Sequence, residues 1–227
     1  MKIGGLEECT LIDYPGKIAC VIYTIGCNFR CPYCHNPELV DETAKEMPID
    51  KIWRFLEERK NLLDGVVISG GEPTLHDDLM EMILKIKKMG YFVKLDTNGT
   101  RPAIIKKLIG KNLLDYIAMD IKSPIEMYSM TVGRSVHPDA IRQSIEVIMS
   151  SPVDYEFRTT IVKSLLSPED IEQIGKEIKG AKKYYLQKFN AGRVLSPQFK
   201  RKTTYTDEEF AQFKKMLLNY VKYCGIR

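Results

Sequence analysis

The chain has 227 residues, of which 44% are hydrophobic and 28% are charged, so it is long enough to bury one substantial core. Its net charge of +4 is small and spread along the chain, which gives little support to a nucleic-acid partner. No apolar run approaches the length of a membrane span, and the first residues, MKIGGLEECT, lack the apolar centre of a signal peptide. We therefore expect a cytoplasmic protein of one domain, residues 1–227, with no membrane partner.

Short runs rich in β-branched and aromatic residues alternate with stretches of helical hydrophobic spacing. The predicted strands are ACVIYTIG (19–26), DGVVISGG (64–71), YFVKLDTNG (91–99), LDYIAMDIK (114–122), YEFRTTIV (155–162) and YYLQKF (184–189). Capping patterns begin helices at Ser167 and Thr206, the latter a final helix over 206–222. Because the strands are mostly continuous apolar runs, we expect a parallel sheet covered by helices. About six β/α units make an α/β protein, either an open doubly wound sheet or a partial barrel.

Polar, glycine-rich segments follow the predicted strands at the ends where ligands bind in α/β folds. The cysteine segment GCNFRCPYCHNP follows the first strand, SGGEP follows the second, and DTNG follows the third. DIK ends the fourth strand, RTT lies within the fifth, and LQKF forms the sixth. Because the carboxyl ends of parallel strands share one edge of a sheet, we expect these segments to form one site.

Cys27, Cys31 and Cys34 fall within eight residues, and three interpretations are open for them. A glutaredoxin-like dithiol would use CPYC at the start of a helix, but Pro37 disfavours a helix that continues from there. A zinc site has four ligands by count with His35, although adjacent residues such as Cys34 and His35 rarely bind one tetrahedral ion. An iron–sulfur cubane uses thiolates, and three of them leave its fourth iron open to a substrate. The pattern favours the cluster, with zinc as the second interpretation.

The C-x3-C-x2-C spacing, with Tyr33 before the last cysteine and GGE after the next strand, resembles the radical S-adenosylmethionine (radical SAM) superfamily. CPYCHNPEL and DTNG make the chain similar to the activating enzymes of glycyl radical proteins. It looks most like the anaerobic ribonucleoside-triphosphate reductase activating proteins, with pyruvate formate-lyase activating enzyme as a relative. The resemblance covers about residues 12–192, the core of the domain, and implies the partial, open TIM-like barrel of a radical SAM core.

The resemblance implies that Cys27, Cys31 and Cys34 hold three irons of a [4Fe–4S] cluster, whose fourth iron binds S-adenosylmethionine (SAM). Reductive cleavage of SAM at the cluster would give a 5′-deoxyadenosyl radical, which abstracts a hydrogen atom from the substrate. The resemblance also implies a set of cofactor-binding residues: Tyr33, Gly70, Gly71, Glu72, Asp96, Thr97, Lys122, Arg158 and Gln187. Gln187 stands where relatives of the pyruvate formate-lyase branch carry a histidine.

The resemblance assigns individual tasks to several of these residues. Glu72 is expected to meet the ammonium group of SAM, because a carboxylate suits a cation and the glycines before it admit a close backbone approach. Asp96, Thr97 and Asp120 can form a monovalent cation site, although a carboxylate that bonds its own turn is an equal alternative for Asp96. Arg158 could instead pair with a nearby acid.

As an activating enzyme, the chain would act on a backbone glycine of a glycyl radical protein, and a reducing flavodoxin or ferredoxin would supply electrons. A small-molecule substrate, as in the carboxydeazaguanine synthases, is the alternative within radical SAM chemistry. A zinc-stabilised module without catalysis is the alternative outside it. The three hypotheses share the same site and differ in metal content and substrate.

Overall fold

The structure is a computed structural model that describes residues 1–227, and all of its strands belong to one sheet. The strands are β1 Ile3–Thr10, β2 Ala19–Thr24, β3 Gly65–Gly70, β4 Phe92–Thr97, β5 Tyr116–Asp120, β6 Asp154–Ile161, β7 Tyr184–Lys188 and β8 Cys224–Ile226. Their order in the sheet is their order along the chain; β1 is antiparallel to β2, and every later pair is parallel. A doubly wound sheet needs a reversal of strand order. The fold is therefore the open, TIM-like partial barrel, with β1 and β8 as its edges.

Helices connect the parallel strands. They are α1 Pro37–Val40, α2 Ile49–Glu58, α3 Leu79–Lys88, α4 Pro102–Gly110, α5 Tyr128–Val132, α6 Pro138–Met149, α7 Pro168–Glu177 and α8 Asp207–Leu217. Short 3-10 helices lie at Pro73–Leu75, Ile125–Met127 and Pro197–Arg201. Ser167 and Thr206 form capping boxes at the starts of α7 and α8, as predicted. None of the helices is long and apolar enough to cross a membrane.

The structure contains two strands that the sequence did not indicate, and it shortens the last helix. The strand β1 has the sequence IGGLEECT, whose glycines and exposed acids are not typical of a strand. The strand β8 has only three residues, which is too short to recognise from the sequence. Helix α8 ends at Leu217 rather than at residue 222. The helix does not continue because the turn that follows it bonds to the segment after α7: the carbonyl oxygen of Tyr220 accepts a hydrogen bond from the amide of Gly180 at 2.8 Å.

The two faces of the sheet differ in composition. In β4, Val93 and Leu95 are fully buried in the large core of 50 residues between sheet and helices. Lys94 and Asp96 alternate with them and lie on the opposite face. On that face a small cluster fills the amino-terminal ends of the strands: Tyr14, Ala19, Val21, Val67 and Tyr116. Charged side chains lie further along the strands, toward the carboxyl ends, where the fold places a ligand.

Candidate active site

A cavity of about 280 Å³ opens at the carboxyl ends of the parallel strands. Its walls come from the loops after β2, β3 and β4 and from the ends of β5, β6 and β7. It is lined by all the predicted site residues except Glu72: Cys27, Cys31, Tyr33, Cys34, Gly70, Gly71, Asp96, Thr97, Asp120, Lys122, Arg158 and Gln187. The polar segments that follow the strands therefore meet in one place.

The cysteine loop, residues 26–36, joins β2 to α1 and carries three free thiols. Helix α1 begins only at Pro37, so CPYC does not open a helix as a glutaredoxin dithiol would. Burial raises the pKa of Cys27 to about 12 and that of Cys31 to about 11, while the positive charge of Lys122 acts to lower both. The thiols are therefore protonated at neutral pH until a metal displaces their protons.

The donors of this loop fit an iron–sulfur cluster. No three His, Cys, Asp or Glu side chains lie close enough to hold one metal ion. The cysteines of a cubane each bind a different iron, so they need only face a common space, as Cys27, Cys31 and Cys34 do at this cavity. The buried hydroxyl of Tyr33 has no hydrogen-bond partner within the protein, and it lies near the Cys31 thiol. A polar donor thus stands beside one of the candidate cluster ligands.

The glycine turn after β3 packs directly against the backbone of Gly26, the first residue of the cysteine loop. Gly70 has a φ of +113°, a conformation that side chains rarely adopt. A Cβ on Gly71 would stand 2.0 Å from the carbonyl oxygen of Gly26, and that oxygen also accepts a hydrogen bond from the amide of Glu72 at 2.8 Å. The turn therefore needs glycine, and it supports the cysteine loop.

We expect Gly71→Ala to destabilise the fold and to impair metal loading, because its Cβ cannot coexist with the Gly26 carbonyl. A clash with backbone costs on the order of 2 kcal/mol, which lowers the melting temperature by roughly 5 °C for a chain of this length. Gly110→Ala is the matched control, since a Cβ there meets nothing within 4 Å. Thermal unfolding of the metal-free variants measures the effect, and equal melting temperatures would contradict the tight turn.

Glu72 is the predicted site residue that the structure places elsewhere. Its side chain is fully buried, and its carboxylate accepts hydrogen bonds from the Thr74 amide (3.0 Å), the Thr97 hydroxyl (2.8 Å) and the Asn98 amide (2.6 Å). Burial raises the pKa of Glu72, and these hydrogen bonds act to lower it. The carboxylate therefore ties the GGE turn to the DTNG turn behind the cavity wall, instead of facing a ligand as the resemblance implied.

Two aspartates and two cationic side chains form an ion-pair network along the cavity. Arg158 bridges the aspartates: its Nε lies 2.9 Å from Asp120 Oδ1, and its Nη1 lies 3.2 Å from Asp96 Oδ2. Lys122 Nζ lies 2.9 Å from Asp120 Oδ2. Burial acts to raise the pKa of both aspartates, but Arg158 and the neighbouring lysines hold each pKa below its usual value. The network holds Lys122 and Arg158 in fixed positions at the cavity, where they suit a ligand that carries a carboxylate.

Sequence reasoning missed Lys94 and Ser69, which complete this network. Lys94 Nζ lies 2.6 Å from Asp96 Oδ1, and the Ser69 hydroxyl donates to Asp96 Oδ2 at 3.1 Å. The sequence did contain an indication of Lys94, because a lysine in an apolar strand, two residues before Asp96, lies on the same face of the sheet. Ser69 gave no such indication, since a serine before two glycines is common in turns.

Gln187 and His35 also line the cavity. The Oε1 atom of Gln187 accepts a long hydrogen bond from the Thr160 hydroxyl at 3.4 Å, which leaves its amide group available to a ligand. His35 Nδ1 lies 2.8 Å from the Arg193 carbonyl oxygen, and its ring stacks on Phe189 with a centroid distance of 6.1 Å. His35 is thus held by the loop after β7 and closes one side of the cavity.

This chain is similar in sequence to some known proteins and similar in fold to others. The family model of the radical SAM superfamily matches residues 21–178. A Methanocaldococcus jannaschii chain named as a glycyl-radical enzyme activating enzyme is 34% identical over 99% of this chain and 95% of its own length. The pyruvate formate-lyase-activating enzyme of Clostridium pasteurianum is 32% identical over 53% of this chain and 52% of its own. Streptococcus suis SuiB, solved with bound S-adenosylmethionine, shares the fold with a TM-score of 0.71 at 15% identity, covering 91% of this chain and 49% of that one.

Proposed function

Because the chain belongs to the radical SAM superfamily and, within it, to the glycyl-radical enzyme activating enzymes, we propose that it generates a radical on a glycine of a partner protein. The observation that carries the proposal is the set of three free thiols, Cys27, Cys31 and Cys34, facing the cavity that also holds the ion-pair network. The CPYCHNPEL and DTNG motifs support a partner of the anaerobic ribonucleotide reductase type.

The three thiols would hold a [4Fe–4S] cluster, with SAM bound beside it. The chemistry that these groups supply when bound is one-electron cleavage of SAM followed by abstraction of a hydrogen atom. Cysteines bind iron as thiolates, so their thiols must lose a proton when the cluster forms. The positive charge of Lys122 acts to lower the thiol pKa of both Cys27 and Cys31. Lys122 therefore favours the thiolate form that iron requires.

The ion-pair network supports the binding of SAM, whose amino acid end carries one carboxylate and one ammonium group. Lys122 and Arg158 suit the carboxylate, and Asp96 and Asp120 hold these two cationic side chains in place. Each of these side chains is already held by a partner of opposite charge within 3.2 Å, so little reorganisation is needed on binding. Gly70 and Gly71 bring backbone atoms to the same cavity without side chains in the way.

The open sheet supports a protein substrate. Strands β1 and β8 are unpaired edges, so the barrel has a side opening as well as a mouth. A glycine in an exposed loop of a partner needs such access, whereas a small molecule could enter a closed barrel through the mouth. A reducing flavodoxin or ferredoxin would deliver the electron.

The activating role is tested by mixing the anaerobically reconstituted protein with SAM, dithionite and a glycyl radical protein from the same genome. We expect the electron paramagnetic resonance signal of a glycyl radical on the partner, and no such signal when the partner's radical glycine is replaced by alanine. A partner labelled with α-deuterated glycine should pass deuterium into 5′-deoxyadenosine. Formation of 5′-deoxyadenosine without any partner radical would contradict the activating role and favour a small-molecule substrate.

A further inference from the structure

Lys94 is a fully buried lysine that the proposed function does not use. Its side chain is 1% exposed, and its Nζ lies 2.6 Å from Asp96 Oδ1. It follows Val93 in the centre of the sheet and shares a face with Asp96. Burying an ammonium group costs free energy unless a carboxylate compensates its charge, so Lys94 depends on its pairing with Asp96.

The residues expected to hold a monovalent cation are already engaged by side chains. Asp96 accepts hydrogen bonds from Lys94 on Oδ1 and from Arg158 and Ser69 on Oδ2. Asp120 accepts hydrogen bonds from Arg158 on Oδ1 and from Lys122 on Oδ2.

The hydroxyl of Thr97, the third residue of that set, donates to Glu72 at 2.8 Å. Both oxygens of each aspartate therefore have a partner, and the threonine hydroxyl is turned toward another carboxylate. This arrangement does not fit a bound metal cation.

The balance of charges at the site also argues against a bound metal cation. Asp96 and Asp120 carry two negative charges, which Lys122 and Arg158 alone would balance. Lys94 adds one further positive charge within reach of Asp96, the same charge that a potassium or sodium ion would add. A metal cation beside these three cationic groups would meet repulsion that a buried setting does not screen.

We propose that the ammonium group of Lys94 takes the place of the monovalent cation beside Asp96, so that the chain binds and cleaves SAM without potassium or sodium. The ammonium, like the alkali ion, is a compact cation that hard carboxylate oxygens accept. It differs in being covalently attached, so the site is filled at every salt composition. The part that concerns SAM rests on the proposed function; the part that concerns ion binding does not.

The test uses wild-type protein and Lys94→Met, which keeps a side chain of similar length and removes the charge, in potassium, sodium, thallium(I) or tetramethylammonium nitrate at equal ionic strength. Thallium(I) reports ion binding directly by its nuclear magnetic resonance signal, and tetramethylammonium is too large for such a site. For metal-free wild-type protein we expect no bound thallium and the same melting temperature in all four salts. For Lys94→Met in tetramethylammonium we expect a melting temperature roughly 10 °C below that of the wild type. Potassium and thallium should raise the melting temperature of this variant.

Lys45→Met is the matched control, because Lys45 is exposed and makes no ion pair; it should behave as wild type in every salt. Stoichiometric thallium binding by the wild-type protein would overturn the proposal, and this measurement decides even if Lys94→Met does not fold. After reconstitution, SAM cleavage by the wild type should be equal in potassium and in tetramethylammonium, and a tenfold loss in tetramethylammonium would also overturn it. A failure to form the cluster or to cleave SAM in every salt would contradict the proposed function instead, and the thallium result would still stand.

Discussion

Replacing Cys31 by alanine is expected to abolish both cluster assembly and the cleavage of SAM. Cys31 is one of three thiols at the cavity, and a cubane that loses one of its protein ligands has two remaining. Loss of a group that merely orients a metal ligand already costs about 10–100-fold in affinity or activity, so loss of a ligand should cost more than about a hundredfold. Iron and sulfide content, the visible absorption of the cluster and the yield of 5′-deoxyadenosine measure the effect.

Cys9→Ala is the control for this variant, because Cys9 is an exposed free thiol on β1. It should load iron and sulfide and cleave SAM as the wild type does. A Cys31→Ala protein that keeps its full complement of iron and sulfide would show that another residue holds the metal. Cys31 would then not be a ligand of the cluster.

Replacing Glu72 by alanine should cause the largest loss of stability among single substitutions at the site. Its carboxylate accepts hydrogen bonds from four donors: the amide and the hydroxyl of Thr74, the Thr97 hydroxyl and the Asn98 amide. Each buried donor left without an acceptor costs about 1–3 kcal/mol, so the melting temperature should fall by roughly 10 °C or more. Glu72→Gln keeps the shape of the side chain but only one acceptor oxygen, so its melting temperature should lie between those of the wild type and Glu72→Ala.

Glu46→Ala provides the control, since Glu46 is exposed and has no hydrogen-bond partner; its melting temperature should match the wild type. Two roles of Glu72 are separated in this way. If Glu72→Ala unfolds at the wild-type temperature but binds SAM more weakly, the carboxylate acts directly on the cofactor. The structural role assigned here would then be incorrect.

The six strands β2 to β7 were predictable because each is a compact, mostly apolar run bounded by glycine or polar residues. The hydrophobic pattern left the choice between a doubly wound sheet and a partial barrel open, because strand order depends on which strands pair. The resemblance to the radical SAM core predicted the partial barrel, and the structure confirms it. The strand β1 escaped notice for a different reason. It lies at an edge, half exposed, so its sequence carries no continuous apolar run.

The candidate site also combines residues that the sequence could predict with residues that it could not. The three cysteines were predictable because their spacing is local to one loop. The position of Glu72 was not, because the donors that enclose it, Thr97 and Asn98, come from a turn one β/α unit later. Lys94 was accessible to a simple argument, since strand alternation alone places it on the face of Asp96. Partners distant in sequence decide whether a carboxylate meets a ligand or supports a turn.

We propose that this cavity cleaves SAM at a cluster held by three cysteines. The most direct measurement is the yield of 5′-deoxyadenosine after anaerobic reconstitution with iron and sulfide and addition of dithionite and SAM, alongside metal and sulfide analysis of the protein. We expect a [4Fe–4S] cluster, and 5′-deoxyadenosine that forms only when reductant is present. One bound zinc with no sulfide, and no 5′-deoxyadenosine, would contradict it.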